Sequence, residues 1–227
     1  GRDIVVLEGR VVTAPRRRSL GRVRGAHEVG RIQWFGRMIA NHHMGVGEAR
    51  DVDVLKGVNA SFRRLSVLGS GYDGRLRGAG AVVHTELSIC LPLRRQGQRI
   101  VYDPNIVVEH YPAVRPRGDR RGDADRVAVS DAAHNEALEI LDYFGPLRRS
   151  VFVAFGLAIG TTDAPGLAVF VRDLLTGRPA AGARFIAAQR GRAAALITRR
   201  TPRPVPRPPR KAPVGIDALS APRSRAT

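Results

Sequence analysis

Two side chains that can accept a proton lie close together in the middle of the chain. His84 and Glu86 are separated by one residue, just before an apolar run that begins at Leu87. A neutral imidazole or a carboxylate in such a position can take a proton from a hydroxyl group, which is general-base chemistry. His84 could also cap the helix that follows it or face solvent, and the residue types alone leave these alternatives open.

The elements predicted directly after these residues are one helix and two strands. Residues 86–96 are predicted as a helix that ends at Gly97, because glycine favours the left-handed conformation after a helix. Pro92 inside this helix predicts a kink or a new start. Residues 99–102 and 106–111 are predicted as strands joined by an Asp-Pro-Asn turn.

Upstream, the pattern predicts extended chain and one short helix. Residues 4–14 are predicted as one or two strands with a kink at Gly9, and residues 52–55 as a short extended run. Residues 60–68 are predicted as a short helix. Residues 27–47 show apolar side chains near helical spacing, interrupted by two glycines.

This order of turns and elements resembles the second half of the catalytic domain of family 2 glycosyltransferases, which are nucleotide-sugar enzymes of GT-A type. The shared pattern is a Gly-x-Asn turn with paired arginines, a Gly-Tyr-Asp turn, an acidic helix start, a glycine at the helix end, Tyr-Asp-Pro and a strand ending in histidine. It covers about residues 3–115 and implies an α/β fold that is part of a GT-A domain. The matching residues are Gly57, Asn59, Arg63, Arg64, Gly71, Tyr72, Asp73, Glu86, Leu87, Gly97, Tyr102, Asp103, Pro104 and His110.

The resemblance implies a function for several of these positions. In the family, the base that deprotonates the acceptor is the aspartate of a Glu-Asp pair at the start of the helix. The chain departs from that pattern, because Val83 and His84 occupy these positions, whereas Glu86 matches a second acidic position. The resemblance therefore implies His84 or Glu86 as the base, or an altered or lost activity. It further implies substrate binding by Gly57, Asn59, Arg64 and Trp34, and metal ligation by His110.

Other readings of these residues stay open. Trp34 would stack on the acceptor sugar or pack against the domain. Arg63 and Arg64 would approach the donor diphosphate or stay solvated. The adjacent pair His42 and His43 predicts no metal chelate, because neighbouring side chains point in different directions.

The Asp-x-Asp metal motif of family 2 glycosyltransferases does not occur at the position where the resemblance predicts it. A GT-A domain opens with a Rossmann-like half that holds the nucleotide and ends in Asp-x-Asp. Asp51-Val52-Asp53 spells this motif but directly precedes the Gly-x-Asn turn, so we interpret it as a coincidence. We therefore expect a longer protein of which this is the C-terminal part, inactive by itself. A divalent cation, Mg²⁺ or Mn²⁺, is expected only in the full-length enzyme.

Composition and charge restrict the possible partners. The net charge of +18 comes almost entirely from arginine, since Lys56 and Lys211 are the only lysines. A GC-rich coding sequence produces the same excess, and the low aromatic content of 5% offers few platforms for stacking nucleic-acid bases. We expect no nucleic-acid partner, although binding of nucleic acid or an anionic membrane without catalysis is the alternative function. The single cysteine, Cys90, is predicted to lie in the core.

The chain divides into three predicted regions. Residues 1–129 form the partial transferase domain, residues 130–200 a helical region, and residues 201–227 a disordered tail rich in proline and arginine. The apolar stretch 150–175 is interrupted by polar residues, so we expect helices that lie on a membrane surface rather than span it. The expected partners are a nucleotide-sugar donor and a glycan or lipid-linked acceptor, at the cytoplasmic face of a bacterial inner membrane.

Overall fold

The computed structural model describes residues 4–13, 25–67, 71–78, 82–111 and 126–204. They form a mixed sheet with a layer of helices, which confirms the predicted α/β class. The strands are β1 (Ile4–Thr13), β2 (Arg31–Ile32), β3 (Met38–Ile39), β4 (Arg50–Asp51), β5 (Ala60–Phe62) and β6 (Arg99–His110). The helices are α1 (Arg64–Val67), α2 (Thr85–Arg95), α3 (Arg126–Tyr143), α4 (Pro146–Ala158), α5 (Leu167–Leu175) and α6 (Ala181–Thr198).

The main sheet has four strands in the order β4-β6-β1-β5. The long central strands β1 and β6 run parallel, and the short outer strands pair antiparallel with them. Because parallel neighbours need a crossover connection, everything between β1 and β6, including α2, belongs to that crossover. Strands β2 and β3 form a separate antiparallel hairpin.

Strand β6 is longer than predicted and bulges in its middle. The predicted division into two strands is not found, but the predicted Asp-Pro-Asn turn coincides with the bulge, where the backbone N–H of Asn105 donates to Oδ1 of Asp103 at 2.9 Å. Gly9 of β1 pairs with Asp103, whereas the next residue of β1 pairs with Val107, so three residues of β6 are extra. A Cβ at Gly9 would lie 2.0 Å from the carbonyl oxygen of Ile106. The predicted kink at Gly9 therefore falls at the bulge, where only a glycine fits.

One upstream prediction is wrong, and one apolar pattern near helical spacing does not form a helix. Residues 60–62 form strand β5 because Phe62 pairs with Val6 of β1, and the described helix in this segment is Arg64–Val67. Residues 27–47 contain the β2–β3 hairpin in place of a helical pattern. The hairpin tip packs on α4, with the rings of Phe35 and Phe155 4.9 Å apart. In residues 60–62, pairing with a distant strand overrides the local spacing of apolar residues, whereas the hairpin pairs locally and packs on a distant helix.

Helix α2 matches its prediction most closely. Its residues from Leu87 to Leu93 are all buried, and Gly97 after its end has a φ of +77°. The predicted core position of Cys90 is confirmed, since it is 0% exposed. The helix passes through Pro92 without beginning anew.

The C-terminal helices share the core of the sheet. Helix α3 packs between α2 and α6, and one core contains Val6, Leu93, Leu138, Phe152 and Ala195. The predicted interruption of the apolar stretch separates α4 from α5, and α6 ends the predicted helical region 130–200. Among the helices that the structure describes, none combines the length and apolar character needed to cross a bilayer. The predicted tail lies outside the described residues beyond position 204.

A network of charged side chains is buried between α2 and α3. The guanidinium of Arg75 contacts both carboxylate oxygens of Asp73 and lies 2.5 Å from Asp142. Burial alone would raise the pKa of Asp73, but the hydrogen bonds from Arg75 and the charges of Arg75 and Arg203 hold this pKa below its usual value. Asp73 is therefore ionised, and it anchors the Gly-Tyr-Asp turn to the helical layer.

Glu139 of α3 lies beside this network with neither carboxylate oxygen hydrogen-bonded. It is 0% exposed. Burial, reinforced by the charges of Asp73 and Asp142 and opposed by those of Arg203 and Arg75, raises the pKa of Glu139 to about 8. Glu139 is therefore protonated at neutral pH, since an isolated buried carboxylate is too costly.

This proton makes stability depend on pH. The stabilisation from the protonated Glu139 is complete below the unfolded pKa of 4.5 and is lost as the pH rises towards about 8. Glu139→Gln mimics the protonated acid and should remove the loss, which amounts to at most about 1.4 kcal/mol per pH unit. Urea unfolding at several pH values from 5 to 9 measures the effect. Glu48→Gln, an exposed carboxylate, is the control, and parallel curves for wild type and Glu139→Gln would contradict the assignment.

Candidate active site

A cavity of about 220 Å³ opens at the N-terminal end of α2. Its walls come from the hairpin and the segment after it, from the chain before the Gly57–Asn59 turn, and from the start of α2. The described lining residues are Met38, Ala40, His42, His43, Val54, Leu55, Lys56, Val82, Val83, His84, Glu86 and Leu87. The structure thus brings the two predicted base candidates, His84 and Glu86, into one cavity.

His84 precedes α2 in a left-handed backbone conformation, with a φ of +64°. A residue with a large side chain adopts this conformation at a cost of order 1–3 kcal/mol, and such strain persists only where the surroundings enforce it. The backbone just before His84 is held by Asn135 of α3, whose side-chain amide donates to the carbonyl oxygens of Arg77 and Val83. Its side-chain oxygen in turn accepts the backbone N–H of Arg77 at 2.8 Å. The imidazole forms no hydrogen bond that would cap the helix.

Glu86 is held by the Gly57 turn and by the helix end. Its Oε1 accepts the backbone N–H of Gly57 at 3.2 Å. The unpaired N–H groups in the first turn of α2 favour a negative charge at this position. The predicted site residue Gly57 therefore contributes a backbone donor that orients the candidate base.

A buried histidine also lines the cavity. His42 is 3% exposed, and its Nε2 lies 3.2 Å from the carbonyl oxygen of Val54. Burial lowers the pKa of His42 to about 4, against the raising effect of that carbonyl, and the charge of Lys56 lowers it further. His42 is therefore neutral at pH 7. Its own carbonyl oxygen accepts the hydroxyl of Tyr102, which ties this wall to β6.

The cavity combines one cationic, one anionic and several apolar groups. Lys56 and Glu86 line it together with Met38, Val54 and Val82. Its volume is below the roughly 300–1,000 Å³ of typical small-molecule pockets, so it would hold only the reacting end of a larger substrate. In such a site, His84 or Glu86 can accept a proton in a cavity that also contains the positive charge of Lys56.

The other predicted site residues lie outside the described lining of this cavity. The side-chain amide of Asn59 donates to the carbonyl oxygen of Ile106 and holds the β6 bulge. Arg64 is exposed in α1, and Trp34 is 56% exposed at the hairpin tip. His110 ends β6, paired with Thr13 of β1.

The described residues do not fit a divalent cation site. Among them, no three His, Cys, Asp or Glu side chains come together to ligate a metal ion. Asp53 of the Asp-Val-Asp sequence is engaged by Arg94 and Arg31 and by the backbone N–H of Ile32. Asp53 is therefore paired with two arginines and a backbone donor, and the interpretation of Asp51-Val52-Asp53 as coincidental stays a prediction.

Sequence analysis missed Lys56 and Asn135 as site residues. Lys56 could have been noticed as one of two lysines, directly before the Gly57 turn. Asn135 carries no such signal, because its importance arises only from the packing of α3 against the chain before α2. The pair His42 and His43 was noticed, but only as a possible chelate.

No family model, curated protein or solved structure was found to match this chain.

Proposed function

We propose that this chain is the acceptor-binding, C-terminal part of a family 2 glycosyltransferase of GT-A type, acting on a glycan or lipid-linked acceptor. The observation that carries this proposal is the cavity at the start of α2, which His84, Glu86 and Lys56 all line. The fold supports the proposal through its mixed sheet, in which α2 belongs to the crossover that connects the parallel strands β1 and β6.

In this proposal, the base takes the proton of an acceptor hydroxyl as its oxygen attacks the sugar carbon of the donor. The carbon–oxygen bond to the nucleoside diphosphate breaks, and the electron pair leaves with the diphosphate. Glu86 is already oriented by Gly57, and Asn135 holds the carbonyl oxygen of Val83, directly before His84. Lys56 would stabilise negative charge near the acceptor. The nucleotide and any divalent cation would be held by the part of the enzyme upstream of this chain.

The test is the turnover of the full-length enzyme, followed as release of nucleoside diphosphate. We expect His84→Asn to lower turnover by about 10² to 10⁴, the usual cost of losing a general base. Asparagine tolerates the left-handed conformation, so the backbone of His84 should survive the change. Glu86→Gln keeps an oxygen that can accept the Gly57 N–H and should have a smaller effect.

Matched controls are His27→Ala and Glu48→Gln, which alter an exposed histidine and an exposed carboxylate outside the cavity. If Glu86→Gln abolishes turnover and His84→Asn does not, Glu86 is the base. If neither variant differs from the controls, the cavity is not the active site and the proposal fails.

We propose as the second candidate function that the chain binds an anionic membrane without catalysis. The observation that favours it is an exposed apolar stripe on α5, where Leu167, Val171, Leu174 and Leu175 recur at helical spacing. Phe170, at the edge of this stripe, stacks on Phe185 of α6 and holds the helix in place. The overall charge of +18 favours a negatively charged surface. This would place the protein at the cytoplasmic face of a bacterial membrane.

Two matched leucines test this surface. Leu175 on α5 and Leu65 on α1 are 82% and 81% exposed. We expect the chain to float with vesicles that contain anionic lipid, and high salt to release part of it. Leu175→Glu should weaken binding by roughly tenfold or more, because a leucine that enters the interface contributes about 1.5–3 kcal/mol. Leu65→Glu should leave flotation unchanged, and equal losses for both variants would contradict the α5 surface.

A further inference from the structure

Helix α2 carries a proline that removes one of its own hydrogen bonds. Pro92 has no backbone N–H, so it cannot donate to the carbonyl oxygen of Ser88 one turn earlier. The helix nevertheless runs from Thr85 to Arg95. Ser88 is 0% exposed, so water cannot readily replace the lost donor. A buried carbonyl in this position requires another partner.

That partner comes from the far end of the described chain. Nη2 of Arg203 donates to the carbonyl oxygen of Ser88 at 2.7 Å, and also to that of Gly71 at 2.9 Å. The same guanidinium contacts the hydroxyl of Tyr143 and lies 3.8 Å from Asp73. A guanidinium has several donors in a fixed fork, so one side chain can bridge two carbonyls in this way.

Residues 199–204, which we call the C-terminal strap, are held across α2 and α3 at further points. Arg75 donates to the carbonyl oxygen of Thr201 at 2.9 Å, and Arg199 lies 3.4 Å from Asp142. The strap therefore rests on the buried charged network, and Arg203 reaches from it to the backbone of α2.

Ser88 also connects this contact to the first turn of α2. Its hydroxyl donates to the carbonyl oxygen of Thr85 at 2.7 Å and lies 3.4 Å from the backbone N–H of Asp73. Thr85 stands between His84 and Glu86. A change at Arg203 therefore acts on the backbone that carries both base candidates, although Arg203 does not line their cavity among the described residues.

We propose that Arg203 is a positioning residue for the candidate active site, supplying the hydrogen-bond donor that Pro92 removes from α2. The first half of this statement rests on the proposed function. The second half, the exchange of a backbone donor for a side-chain donor, is independent of it. The experiment below separates the two.

The donor exchange is tested by a double-mutant cycle in the full chain. Arg203→Met keeps the length of the side chain but removes its donors, and we expect the unfolding equilibrium constant to rise about tenfold or more, because a buried carbonyl is left unpaired. Pro92→Ala restores the backbone N–H to Ser88. In the Pro92→Ala background, Arg203→Met should raise the constant by less than about threefold, a coupling that cycles of this kind detect. An unchanged effect of Arg203→Met in that background would overturn the donor exchange.

Two further variants keep the cycle interpretable. Arg200→Met alters an exposed arginine of the same strap and should leave the unfolding constant near the wild-type value. Arg203→Lys keeps the charge near Asp73 but cannot bridge two carbonyls, so it should fall between wild type and Arg203→Met. If Arg203→Lys equals wild type, charge alone explains Arg203 and the proposal is wrong. If Arg203→Met does not fold, the comparison of Arg203→Lys with and without Pro92→Ala gives the same coupling.

The positioning effect is read at the site itself. Amide hydrogen exchange of residues 85–91 and the imidazole NMR signals of His84 should change in Arg203→Met and return towards wild type when Pro92→Ala is added. Unchanged signals would show that Arg203 acts on stability alone. In the full-length enzyme, turnover should follow the same order of variants. If amide hydrogen exchange changes in this order of variants but sugar transfer is the same in all of them, Arg203 positions the start of α2 and the proposed function is wrong.

Discussion

Helix α3 carries polar side chains into the interior, and their need for partners holds distant stretches of chain together. Asn135 binds the backbone at Arg77 and Val83, and Asp142 binds Arg75. His134 lies 3.0 Å from both Asn135 and Thr198 at the end of α6. Buried polar groups are stable only when paired, so each contact constrains the position of its partner. The loop before α2 and the end of α6 are both fixed in this way.

The candidate site depends on this arrangement more than on its own residues. His84 adopts a left-handed conformation, and Asn135 from α3 holds the carbonyl just before it. Glu86 is oriented by the turn at Gly57, which belongs to a different part of the chain. The cavity is thus a junction of three segments, none of which could form it alone. Strain at such a junction is a common property of functional sites, where surrounding structure maintains it.

The accuracy of the sequence predictions follows the range of the interactions involved. Helix α2 and its glycine end were predicted correctly, because apolar spacing and a left-handed glycine are local signals. The same holds for the break between α4 and α5. The single strand β6 and the strand β5 were not predicted, since both depend on pairing with β1. Of the predicted site residues, His84 and Glu86 line one cavity and Glu86 accepts a hydrogen bond from Gly57, whereas Asn59 supports the β6 bulge.

Some properties of this chain follow from its amino-acid sequence alone. The excess of arginine, the lack of a donor at Pro92 and the presence of two proton acceptors beside Thr85 are chemical facts of the sequence. Which group replaces the lost donor cannot be read from the sequence, because Arg203 and Ser88 are 115 residues apart and meet only in the folded structure. Likewise, the proton on Glu139 is decided by burial and by nearby charges from separate segments. Desolvation and pairing depend on what surrounds a group, and only the tertiary structure determines those surroundings.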